Sequence, residues 1–118
     1  MVTREELEGF RQLEKELREL RGRMRRAELA AMESGRAEDR ERAITEAQRY
    51  DALADEAEAE RDRILAEICN LKSAEQRRIM RARYVDGMMP KAIAAREAYS
   101  KRTVERIIEK AIEEMSRE

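Results

Sequence analysis

Near the end of the chain, Ser100, Lys101, Arg102, Thr103, Glu105 and Arg106 fall within seven residues. Arg102 and Arg106 are four apart, so a helix sets them on one face. A guanidinium is a planar fork that matches the O6 and N7 acceptors of guanine in the DNA major groove. Lys101 suits a backbone phosphate, as does Lys91 ten residues earlier. Thr103 offers a hydroxyl or a methyl group. Glu105 repels phosphate, so it is either a cytosine reader or a partner for Arg102 or Arg106. Set against this chemistry is the plain alternative that cations on an exposed helix face are only solvated. Spacing alone leaves the two readings level.

The elements that would position these residues are short and well punctuated. Asn70-Leu71-Lys72 breaks the chain, and Ser73 with Gln76 three residues later has the form of a capping box. A helix is expected from about Ala74 to Val85, stopped by Asp86-Gly87, where Gly87 can adopt a left-handed backbone. Pro90 suits the first turn of the next helix, Pro90 to about Arg96, because its missing N–H costs nothing there. After Glu97-Ala98-Tyr99, Ser100 is a good N-cap for the last helix. In that helix Val104, Ile107, Ile108, Ala111, Ile112 and Met115 make the apolar stripe. The cations listed first lie on the opposite face. A short helix, a three-residue turn and a longer helix with cations at its leading end form a helix-turn-helix pattern.

The first 70 residues have another texture. From Thr3 to about Glu33, Phe10, Leu13, Leu17, Leu20, Met24, Ala27 and Ala31 alternate steps of three and four among charged residues. That is a heptad seam, which another helix must cover. About 30 residues make an arm of roughly 45 Å. Ser34-Gly35 is the expected break, and Gly22 weakens the helix by about 1 kcal/mol without ending it. A second helix, about Glu38 to Cys69, carries Ala43, Ala47, Tyr50, Ala54, Ala57, Arg61, Ile64, Ile68 and Leu71 on its seam. The short connection favours an antiparallel hairpin. Its Ala-rich face is marginal alone, so a homodimer is expected. The carboxylates Asp51, Asp55, Glu56, Glu58, Glu60 and Asp62 spread around a continuous helix, whereas a hard cation needs oxygens converging on one point. They are read as a solvated face pairing with Arg49, Arg61 and Arg63.

Composition bounds the rest. Charged residues make up 45 % of the 118 and aromatics 3 %, which suggests disorder. The net charge of −1 and the helical period of the apolar residues argue instead for long helices. Residues 1–70 hold 14 basic and 19 acidic groups, a net of −5, and residues 71–118 hold 12 and 8, a net of +4. The basic end is therefore where a polyanion is expected. The single cysteine, Cys69, has no second cysteine or histidine to share a metal, and reads as a packing residue in a reducing compartment. No membrane span or targeting segment is read, and a cytoplasmic protein is expected. Without histidine, a phosphate loop or a base for Cys69, no enzymatic activity and no cofactor is expected.

The segment Leu71 to Gly87 also resembles the opening of the sigma-70 region-4-like helix-turn-helix, a helix that ends in an aromatic, one or two residues and glycine. Ala92-Ile93-Ala94 is similar to the Glu-Ile-Ala core of that family. Ser100-Lys101-Arg102-Thr103-Val104 is similar to the start of its recognition helix, and Lys110-Ala111-Ile112 to its closing Lys-Ala-Leu. The resemblance covers about 45 residues without a gap. Three departures stand out: Met89 where the family has a Ser or Thr cap, Glu97 where it is apolar, and Ala98 where glycine is common. The layout also resembles small phage and prophage transcription regulators of the ArpU and RinA type. The resemblance implies double-stranded DNA as ligand, with Lys101, Arg102, Thr103, Glu105 and Arg106 at the contact positions. The expected fold is all-α: a coiled-coil hairpin over residues 1–70, then a helix-turn-helix module over 71–118. The expected function is sequence-specific transcription regulation, with the arm spacing two recognition helices or meeting RNA polymerase. The alternatives are a small-terminase-like DNA-packaging protein and a structural coiled-coil adaptor.

Overall fold

The computed structural model describes residues 1–117. Among them are six α-helices, one π-helical turn and no strand. The helices are α1 (Arg4–Glu8), α2 (Phe10–Glu33), α3 (Ala37–Cys69), α4 (Ala74–Met80), α5 (Pro90–Glu97) and α6 (Lys101–Met115), with the π turn over Arg81–Val85 between α4 and α5. No helix among the described residues is long and apolar enough to cross a membrane.

The chain forms two compact units, and their boundaries differ from the expected division at residue 70. One unit is Gln12–Arg61, and the other combines Met1–Arg11 with the chain from Asp62 onward. The expected single helix from Thr3 is interrupted at Gly9, which caps α1 with φ −85° and ψ −3°. Thr3 starts α1 with a full capping box, in which its hydroxyl accepts from the Glu6 N–H and the Glu6 carboxylate accepts from the Thr3 N–H. Phe10, placed by periodicity on the arm's seam, belongs to the unit of the C-terminal helices and is fully buried, as are Val2 and Leu7. The Val2 N–H donates to the Met115 carbonyl at 2.9 Å, and the Ser116 hydroxyl donates to the Val2 carbonyl at 3.1 Å. Periodicity reports which stripe is apolar, and not which surface covers it; the largest apolar groups of the first ten residues are buried with the C-terminal helices.

In this unit α6 packs against α4 and α5. Ile64, Ile68, Leu71, Ile79, Met80, Tyr84, Ile93, Val104, Ile108, Ala111, Ile112 and Met115 are buried. The bend after α3 is closed by Arg77, whose guanidinium donates to the carbonyls of Leu71 (2.5 Å) and Lys72 (3.1 Å). The Ser73 half of the expected box forms, its hydroxyl accepting from the Gln76 N–H at 3.2 Å, while Gln76 is buried. Helical structure continues to Val85 as expected, but widened: the Asp86 N–H reaches the Arg81 carbonyl five residues back at 3.0 Å. Gly87 follows with φ 75°. A Cβ there would lie 2.6 Å from the Arg11 Cζ, the far end of a flexible side chain that can swing aside, so it is the left-handed backbone that calls for glycine.

Within Gln12–Arg61 lies a long helix pair, most of α2 and of α3, joined through Ser34 and Gly35. The Ser34 hydroxyl accepts from the Arg36 N–H at 3.3 Å. Gly22 leaves α2 unbroken. The expected seam residues Leu17, Ala27, Ala47 and Ala54 are buried, and Leu13, Leu20, Met24, Ala31, Ala43, Tyr50 and Ala57 are half-buried. The acidic cluster meets the expected Arg61 and also an arginine that was not expected. Arg21, on the other helix, takes Asp51 (3.1 Å), Asp55 (3.3 Å) and Glu58 (2.7 Å). Arg61 adds a 3.6 Å contact to Glu58, and Arg49 stacks over the ring of Tyr50.

Candidate nucleic-acid interface

The N-terminal end of α6 is built by Ser100, whose hydroxyl accepts from the Thr103 N–H at 3.1 Å. The same hydroxyl lies 2.9 Å from the Thr103 hydroxyl, so Thr103 is partly committed to the cap. Val104, Ile108, Ala111, Ile112 and Met115 are buried, which turns Lys101, Arg102, Glu105 and Arg106 outward. Lys91, in the first turn of α5, is exposed as well. The first turn of α6 carries no acidic residue, so its unpaired N–H groups and positive dipole end are not offset there.

Glu105 was expected either to read cytosine or to pair with Arg102 or Arg106. It lies instead 3.6 Å from the Lys101 ammonium, one turn back. Among the described residues, neither Arg102 nor Arg106 is engaged by a carboxylate. Nearby carboxylates are held elsewhere. Glu109 accepts from Arg4 at 2.5 Å, Glu75 accepts from the Tyr99 hydroxyl, and Glu97 takes both Arg78 (2.7 Å) and Arg96 (3.5 Å). The two carboxylates within one turn of Arg106 on α6 thus face other cations, Glu105 facing Lys101 and Glu109 facing Arg4.

Arg4, Arg78, Arg96 and Tyr99 were not singled out from sequence as supports of this surface. Arg4 is 105 residues from Glu109, and no local pattern joins them. Glu97 could have been suspected: a carboxylate at an apolar position needs a cation, and α4 is rich in arginine. The hydrogen bond from Arg78 holds the Glu97 carboxyl below the ordinary carboxylate range. The same carboxylate raises the Arg78 guanidinium. Tyr99 is raised above the usual phenol range, first by its hydrogen bond to Glu75.

The turn between α5 and α6 shows what the other two departures do. Ala98 adopts the left-handed region at φ 59°, ψ 38°, where glycine is favoured, and the Tyr99 N–H closes the turn on the Ala94 carbonyl at 2.9 Å. Met89 stands at the N-cap of α5 and supplies no side-chain hydrogen bond. No protein-family model, characterised protein or solved structure matches the chain.

Proposed function

We propose that α4, α5 and α6 form a helix-turn-helix that binds double-stranded DNA, with α6 as the recognition helix. In this reading α2 and α3 are a coiled-coil hairpin, and the protein is a dimeric transcription regulator of the phage or prophage kind. The observation that carries it is the pair Arg102 and Arg106, exposed on one face of α6 and unmatched by the carboxylates around them. Arg102 and Arg106 would present forks to base edges. Lys91 and Lys101 would meet phosphates, with Ser100 and Thr103 shaping the leading turn. Phosphate capture would release Lys101 from Glu105, freeing that carboxylate to accept from cytosine.

Fluorescence anisotropy with duplexes selected from a random pool tests this. Affinity should fall with salt in proportion to the phosphates neutralised, about 0.9 in log–log slope for each. Arg102→Ala and Arg106→Ala should each cost about 1–3 kcal/mol and relax sequence preference at one position. Lys91→Ala should weaken all duplexes alike and reduce the salt slope by about 1. Unchanged binding and preference in both arginine variants would remove the assignment.

A further inference from the structure

The hairpin unit is short of core. Its buried apolar side chains are Leu17 and three alanines, Ala27, Ala47 and Ala54. The large, completely buried residues Val2, Leu7, Phe10, Ile64, Ile79, Met80, Ile93 and Val104 all belong to the other unit. A helix pair whose seam is mostly half-covered gains little from burial against the entropy of ordering some 50 residues. Two apolar residues beyond the seam, Met32 and Ile44, join seam residues at a surface groove. On one side of the hairpin, near its tip, Met24, Ala31, Met32, Ile44 and Ala47 line an open groove of about 850 Å³. Met32 is 82 % exposed and Ile44 43 %. Glu28, Arg40 and Asp51 also line it, so the groove carries both signs of charge.

We propose that this groove is the contact face for a second copy of the chain, which packs its own groove side against it as a four-helix assembly. The charge pattern favours a copy of itself. A twofold axis crossing α3 midway between Arg40 and Asp51, close to Ile44, sets Arg40 of each copy level with Asp51 of the other, which Arg21 of its own chain leaves net negative because that one guanidinium is shared with Asp55 and Glu58. Met32 and Ile44 of each copy then enter the opposite groove, covering the half-exposed seam. Such a pairing overlaps about 20 residues of each α3, about 30 Å along and about 20 Å across. That is on the order of 600 Å² per copy, approaching the roughly 800 Å² that each partner gives to a stable interface. The proposal does not depend on DNA binding.

Sedimentation equilibrium of the full chain at about 100 µM should give twice the chain mass. Met32→Glu with Ile44→Glu should weaken association at least about 100-fold, since both would place a charge in an apolar contact. A disulfide scan covers the case in which that variant unfolds. In a Cys69→Ser background, Ile44→Cys lies near the axis and should cross-link to its own copy under mild oxidation. Leu53→Cys lies nine residues on, half a turn around the helix and also exposed, and should not. A monomeric wild-type chain would overturn the proposal, and so would cross-linking at position 53 equal to that at 44.

Discussion

At Ala98 a non-glycine residue holds a left-handed backbone, in which the Cβ crowds the following carbonyl at a cost of about 1–2 kcal/mol. Glycine would relieve the crowding but give back about 0.4–1 kcal/mol through the freer unfolded chain. Ala98→Gly should therefore raise stability by about 0.5–1 kcal/mol, seen as a higher urea midpoint at unchanged m-value. A lower midpoint would mean that the turn is not strained. Glu97 is the second residue whose chemistry can be read directly. Its folded-state carboxyl titrates below its ordinary value of 4.5 because Arg78 donates to it. Its stabilisation is present above that ordinary value and is lost as pH falls through the lower folded one. Melting temperature should thus decline on acidification below about pH 4.5, and Glu97→Gln should flatten that part of the decline. An identical acid limb in both proteins would show that the Arg78 pair contributes nothing measurable. Sequence reading marked both positions as departures from the resembled family. For Glu97 the structure supplies a compensating pair, and for Ala98 it does not.

Among the elements, α1 departs furthest from its expectation. Five residues could not hold a helix alone. The capping box of Thr3 and Glu6 starts it, and the burial of Val2, Leu7 and Phe10 retains it. Arg4 ties it to Glu109 of α6, and Arg63 of α3 bonds Glu6. Leu7→Ala should accordingly cost about 2–5 kcal/mol in the cooperative denaturant transition of the C-terminal unit, as for other buried leucines. A loss under about 1 kcal/mol would mean that α1 is a surface attachment and not part of the core. Helix ends set by local chemistry were legible without coordinates: Ser34-Gly35, Asn70 to Lys72, Gly87, Pro90 and Ser100 all fall where turn and cap residues place them. The break at Gly9 was not, because the apolar rhythm runs on across it. A helical glycine costs only about 1 kcal/mol, a difference that tertiary contacts decide. The π widening over Arg81–Val85 has no local signature either, since the same residues would serve an ordinary helical turn.

For the molecule as a whole, the division of labour between the units follows where large side chains are available. The largest fully buried side chains all belong to Met1–Arg11 and the chain from Asp62 onward, whereas Gln12–Arg61 is held by alanines, a leucine and the Arg21 ion-pair network. Exposed ion pairs contribute at most about 1 kcal/mol each, so the unit Gln12–Arg61 has the thinner stability of the two. What the amino-acid sequence determined by itself is every feature carried by neighbours along the chain. These are the long helices from their period, their ends from capping residues, and the outward face of Lys101, Arg102 and Arg106 from the stripe behind it. What tertiary structure decided is which surfaces meet. The first eleven residues join the C-terminal unit, Glu105 turns to Lys101, and Glu109, Glu97 and the Asp51–Glu58 cluster receive arginines from distant segments. The physical reason is that apolar burial is non-directional and an ion pair depends on approach in space. Neither leaves a mark on the local order of residues.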